Sequence, residues 1–150
     1  MAYSPSVFRI AINGYGRIGQ CVLRALVELG DTDIEIVAIN ELSDLATITY
    51  LTRYDTTHGR FPGHVESHDG ELIVNGRPIR VLCEPDPERL PWGALDIDLV
   101  LECSGSFKDR HTAEKHLEAG AKQLLFSQPA ESDVDATIVR GINDHILSRS

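Results

Sequence analysis

The sequence predicts an α/β fold: one doubly wound, mainly parallel sheet carrying a small antiparallel insertion. Two observations predict it. Short apolar runs rich in β-branched residues alternate with stretches whose apolar residues recur at helical spacing. A glycine-rich turn joins the first run to the first helical stretch, as a strand passes to the crossover helix of a parallel pair. The 150 residues, 42% of them hydrophobic, suffice for one domain with its own core, so residues 1–150 are read as a single unit.

Val7 to Ile12 is the first strand, apolar enough to be buried on both faces. The turn runs from Asn13 to Gly19. Ile18, Cys21, Val22, Ala25, Leu26 and Leu29 then predict the apolar face of a helix, with Gly30 placed to end it. Ile34 to Ile39 is a second buried strand, parallel to the first. Ser43 stands where it can cap a helix reaching about Tyr54. Val65, Leu72 to Val74 and Ile79 to Leu82 are short runs separated by His68-Asp69-Gly70 and Asn75-Gly76. Asn-Gly between such runs is a hairpin signal, so this stretch is the antiparallel insertion. Pro85, Pro87 and Pro91 exclude a long regular element. Leu99 to Glu102 is a strand, Asp109 to Ala119 a helix closed by Gly120, and Gln123 to Phe126 and Thr137 to Arg140 are further strands. Asn143 to Ser150 gives no stop signal and reads as a chain cut in mid-protein.

Composition narrows the function. With 14 Lys and Arg against 23 Asp and Glu, the formal charge is −9. Such a surface repels a nucleic-acid backbone, although a small anion would respond to its local site. Cys21, Cys83 and Cys103 are an odd number with no Cys-x-x-Cys, which argues against a disulfide framework or zinc ribbon and for a reducing, cytoplasmic setting. No run approaches membrane-spanning length, and the first residues lack the pattern of a signal peptide. His64 and His68 lie in strand-like surroundings, so surface histidines explain them better than a metal pair. No metal is expected.

Gly14-Tyr-Gly-Arg-Ile-Gly19 matches G-x-G-x-x-G in the context that gives the pattern meaning, between a strand and a helix. Gly14 permits the tight turn, Gly16 lets the backbone approach a pyrophosphate, and Gly19 lets the helix pack on the strand. The N–H groups and dipole at the helix start favour phosphate. Asn13, Arg17, Ile18 and Asn40 would line the site. Glu41, after Ile39-Asn40, follows Gly19 at close to the expected separation of about 20 residues. Its carboxylate would accept from adenosine-ribose hydroxyls and repel a 2′-phosphate, favouring NAD over NADP. The expected fold is therefore of the Rossmann type.

Further along, Ile12 to Gly19, Tyr54-Asp-Thr-Thr-His-Gly59, Asn75-Gly76, Pro91-Trp92-Gly93, Glu102-Cys-Ser-Gly-Ser-Phe107, Gly120-Ala-Lys122 and Ser127-Gln-Pro129 follow one another in the order found in one family. The chain resembles the glyceraldehyde-3-phosphate dehydrogenases and their relatives over nearly its whole length. Ala38-Ile-Asn-Glu-Leu42 resembles the erythrose-4-phosphate branch, since the glyceraldehyde enzymes usually have Asp-Pro where this chain has Glu41-Leu42. Leu125-Phe-Ser-Gln-Pro129, with Asp135-Ala-Thr137, leans the same way.

The resemblance implies NAD as cofactor, with Arg17 and Ile18 at the pyrophosphate and Glu41 at the adenosine ribose. Ser104 and Gly105 would edge the groove, Phe107 would lie beside the adenine, and Ser127 would approach the nicotinamide. Pro85, after Glu84, departs from the family's Glu-Arg-Asp segment and lacks the arginine side chain that the resemblance places near the adenine. The resemblance also implies a homotetramer, a sugar-phosphate aldehyde as substrate, and chains more than twice this long. The intact parent would oxidise erythrose 4-phosphate to 4-phosphoerythronate, a step feeding pyridoxal 5′-phosphate synthesis. The family's Ser-x-Cys-Thr-x-x-Cys motif is absent from this chain. No catalytic residue is therefore assigned here, and the chain alone is expected to be inactive. Two alternatives stay open: a glyceraldehyde-3-phosphate dehydrogenase, and a free-standing nucleotide-binding module.

Overall fold

A computed structural model describes residues 6–30 and 33–147. The strands are β1 (Phe8–Asn13), β2 (Ile34–Asn40), β3 (Tyr54–Asp55), β4 (Gly59–Arg60), β5 (Val65–His68), β6 (Glu71–Val74), β7 (Arg77–Leu82), β8 (Leu99–Glu102) and β9 (Gln123–Phe126). The helices are α1 (Arg17–Leu29), α2 (Leu45–Arg53) and α3 (Arg110–Glu118). Seven strands form one sheet in the order β5-β6-β7-β2-β1-β8-β9. β7, β2, β1, β8 and β9 are mutually parallel, and β5, β6 and β7 are antiparallel. The predicted insertion thus extends the main sheet rather than standing apart. Its turns carry Asp69-Gly70 and Asn75-Gly76, all four at positive φ, as tight hairpin turns require.

The order reverses at β1. From it the chain winds outward through α1 to β2 on one side, and through α3 from β8 to β9 on the other. Alternation along the central strands divides the core accordingly. Ile10, Ile12, Ile36 and Ile39 pack with Leu23 of α1 and Ile48 of α2, while Ala11, Ala38 and Val100 pack with Trp92, Ile97 and Ala121.

Four expectations need correction. Asp44, not Ser43, caps α2, because its carboxylate is the one that accepts from Thr47 N–H, at 2.8 Å. The buried side of α1 centres on Gly19, Leu23 and Arg24, whereas Ile18, Ala25 and Leu29 are exposed and Cys21 is half-buried. Arg24 tolerates burial because its guanidinium donates to the carbonyls of His58, Gly59 and Arg60. The short hairpin β3–β4, from Tyr54 to Arg60, was not expected. Thr137 to Arg140 is not a strand: among the described residues no neighbour pairs with it, Val139 is exposed, and its N–H donates to the side chain of Asn143. Asn143 to Leu147 contains a short 3-10 turn, and Ser148 to Ser150 lie outside the described residues.

Candidate functional site

The carboxyl ends of β2, β1, β8 and β9 lie side by side, and each carries one group of the expected site residues. This is the edge where open parallel sheets bind ligands, at the point where strand order reverses. At the end of β1, Asn13 is buried. Gly14 has φ +89° and donates its N–H to the carbonyl of Asn40, at 2.9 Å. A Cβ on Gly14 would come within 2.4 Å of the Ser104 backbone, and one on Gly19 within 2.6 Å of the Gly14 carbonyl oxygen. A Cβ on Gly16 would meet nothing within 4 Å. The space before Gly16 is open, and α1 begins there.

The three helix starts differ in a way that bears on a ligand. Asp44 caps α2 and Asp109 caps α3, each accepting a backbone N–H of the first turn. Gly16 offers α1 no side-chain cap. The orphan N–H groups and the positive end of the dipole face the open space. Ile18, in the first turn of α1, is exposed. Arg17 is also exposed, its guanidinium 3.5 Å from Asp55 and near the hydroxyls of Thr56 and Thr57. The His58 and Thr57 N–H groups, followed by Arg17, hold the Asp55 carboxyl at a pKa of about 2. The segment carrying Asp55 is itself pinned by the buried Arg24.

At the end of β2, Glu41 accepts hydrogen bonds from Tyr15 N–H and Leu42 N–H, both at 2.7 Å. Its carboxylate therefore sits against the glycine turn. An ionised carboxylate has about four acceptor sites, so two remain for hydroxyl groups. Tyr15, within the fingerprint, is 2% exposed; burial pushes its phenol pKa up, partly offset by the hydrogen bond to Thr52.

On the other side of β1, Ser104 and Gly105 are exposed on the turn after β8, and Phe107 is half-buried at its end. Gln128 donates to the Phe107 carbonyl, and Ser127 N–H donates to the Glu102 carbonyl at the end of β9. Cys103 is half-buried; burial raises its thiol pKa, against a hydrogen bond with Ser127. Cys83 is exposed just past β7. Among the described residues no cluster of His, Cys, Asp or Glu is arranged to hold a metal ion, and no helix is long and apolar enough to cross a membrane.

Sequence reasoning missed what lies beneath this edge. Asn13, Asn40, Glu102, His116 and Trp92, all at most 5% exposed, form one hydrogen-bonded chain. The available signal was that β1 and β2 both end in Asn, paired in register with each other, and β8 in Glu.

An open, uncapped helix start beside an acid at the end of the second strand defines a dinucleotide-binding domain, and the residues present fit the diphosphate of such a ligand. Residues 8–110 match the glyceraldehyde 3-phosphate dehydrogenase NAD-binding domain family. The chromosomal and plasmid glyceraldehyde-3-phosphate dehydrogenases of Cupriavidus necator are 54% and 53% identical over 140 residues, 93% of this chain. The chain belongs to this family of NAD-binding domains, and it spans 42% of the length of those two relatives.

Proposed function

We propose that this chain is the NAD-binding part of an oxidoreductase that dehydrogenates a phosphorylated aldehyde, glyceraldehyde 3-phosphate being the substrate in the names of both relatives. The observation that carries the reading is the open space before Gly16 at the uncapped start of α1, with Glu41 beside it. The N–H groups of Arg17 and Ile18 receive the pyrophosphate, with the Arg17 guanidinium alongside. Glu41 takes the adenosine ribose. Ser104 and Gly105 edge the groove, Phe107 flanks the adenine, and Ser127 points toward the nicotinamide end, with Asn13 and Asn40 as the floor. When bound, NAD accepts the hydride; these residues hold and orient it. The thiol that attacks the aldehyde belongs to the remaining length of a protein of the relatives' size, which forms a tetramer.

A second reading, oxidation of erythrose 4-phosphate with water completing the reaction, is favoured by Glu41-Leu42 where glyceraldehyde enzymes usually carry Asp-Pro. The full-length protein should be assayed with NAD and each aldehyde, with and without inorganic phosphate. A higher kcat/KM for glyceraldehyde 3-phosphate that depends on phosphate supports the first reading. A preference for erythrose 4-phosphate independent of phosphate replaces it with the second. Reduction of NAD with neither aldehyde refutes both.

A further inference from the structure

The buried chain beneath the site has a fixed direction. Asn40 cannot flip its amide, because Glu84 N–H donates to its Oδ1 at 2.9 Å while its Nδ2 donates to the Glu84 carbonyl at 2.9 Å. Asn40 Nδ2 also donates to Asn13 Oδ1 at 2.7 Å, so Asn13 must turn its own Nδ2 toward Glu102 Oε2, also at 2.7 Å. From the other side, indole nitrogen Nε1 of Trp92 can only donate, and it meets His116 Nδ1 at 3.0 Å. That nitrogen must accept, the imidazole proton sits on Nε2, and Nε2 donates to Glu102 Oε2 at 3.0 Å. Ser104 N–H donates to Oε1 at 2.9 Å. Every donor converges on one side chain, which must accept only. Glu102 is a buried, ionised carboxylate held by neutral donors.

Its location matters more than its charge. One of its donors, Asn13, opens the glycine turn, and another, Ser104, opens the turn after β8. Cys103 N–H meets the Asn13 carbonyl at 2.7 Å, and Gly14 lies against the Ser104 backbone. We propose that Glu102, oriented by His116 and Trp92, is a positioning residue for the dinucleotide: its carboxylate locks the 13–19 turn and the 103–107 turn together from inside the fold. This rests on the reading of those two turns as walls of the NAD crevice.

The chain and three variants should be titrated with NAD by calorimetry and melted in parallel. His116→Leu removes the donor to Glu102 and should raise Kd about tenfold in a protein that still melts cooperatively. His116→Gln supplies an amide able to donate to Glu102 and should return Kd to near the parent value. Trp92→Phe keeps an aromatic ring but removes the hydrogen bond that orients the His116 ring toward Glu102, and should weaken binding severalfold; it decides the matter if His116→Leu does not fold. NAD affinity unchanged in folded His116→Leu or Trp92→Phe, or a loss that glutamine does not restore, overturns the proposal. No binding by the parent chain removes the crevice and the proposal with it, an outcome distinct from equal binding by parent and variant.

Discussion

Replacing Gly16 with aspartate should move stability and binding in opposite directions. Gly16 precedes the first turn of α1 with extended backbone, φ −80° and ψ −155°, and faces open space. A carboxylate there can do for α1 what Asp44 and Asp109 do for α2 and α3, where each accepts a backbone N–H, at 2.8 and 2.9 Å. Aspartate exceeds glycine at this position by a few tenths of a kcal/mol. Its charge at the positive end of the helix adds about 0.3–1 kcal/mol. A net gain of about 0.5 kcal/mol raises Tm by about 1–2 °C in a domain of this size. The same carboxylate takes the place of the pyrophosphate and repels it. Like charges ~4 Å apart near a protein surface cost about 4 kcal/mol, roughly a thousandfold in Kd. Calorimetry with NAD and thermal melts followed by circular dichroism measure both effects. A folded variant that binds NAD within about threefold of the parent would refute the placement of the pyrophosphate at α1. A lower Tm would refute the capping argument.

Four further outcomes follow from the same geometry. Glu41→Ala should weaken NAD binding and narrow the preference for NAD over NADP, because the carboxylate on Tyr15 N–H no longer opposes a 2′-phosphate; equal NAD and NADP affinities in the parent would remove Glu41 from that role. Gly14→Ala should cost at least about 2 kcal/mol in denaturant melts, since its Cβ would meet the Ser104 backbone in a conformation that side chains avoid. Asp55→Asn should lower Tm at neutral pH. Because the folded pKa is depressed to about 2, the deficit should hold above the unfolded value of about 3.9 and close as pH falls through about 2; a deficit unchanged at pH 2 would contradict this. With either aldehyde the 150-residue chain should form no NADH, since it carries no Ser-x-Cys-Thr-x-x-Cys motif and burial raises the thiol pKa of Cys103, the cysteine beside the crevice; turnover abolished by Cys103→Ser would overturn that reading.

Much of the sheet was legible because its signals are local. β1, β2 and β8 announce themselves as apolar runs, and Asn75-Gly76 specifies a turn through its own backbone preference. Ser43 and Asp44 are both cap formers, and only the chain's entry into α2 decides that Asp44 reaches Thr47. Thr137 to Arg140 has a strand's composition, but a strand also needs a neighbour. Arg24 reads as a surface residue of α1. Its burial depends on three carbonyls brought to it by a hairpin more than thirty positions away. The chain through Glu102 was hidden for a similar reason. Trp92, Glu102 and His116 meet only once the crossover from β8 through α3 has formed, and no spacing rule joins an indole, a carboxylate and an imidazole across a strand and a helix.

The glycine turn changes what a motif match signifies. Gly14 is required by the Ser104 backbone and Gly19 by the Gly14 carbonyl, so both answer to the chain's own architecture. Only Gly16 looks outward. Two of the three letters would therefore persist in a descendant that had abandoned its ligand, held by folding alone. The middle letter would drift first, and toward aspartate, serine or asparagine it would drift downhill, because each closes the helix start that the ligand otherwise needs open. A relative with that single exchange would be a stable scaffold and a silent one, and position 16 is where its change of occupation would be written.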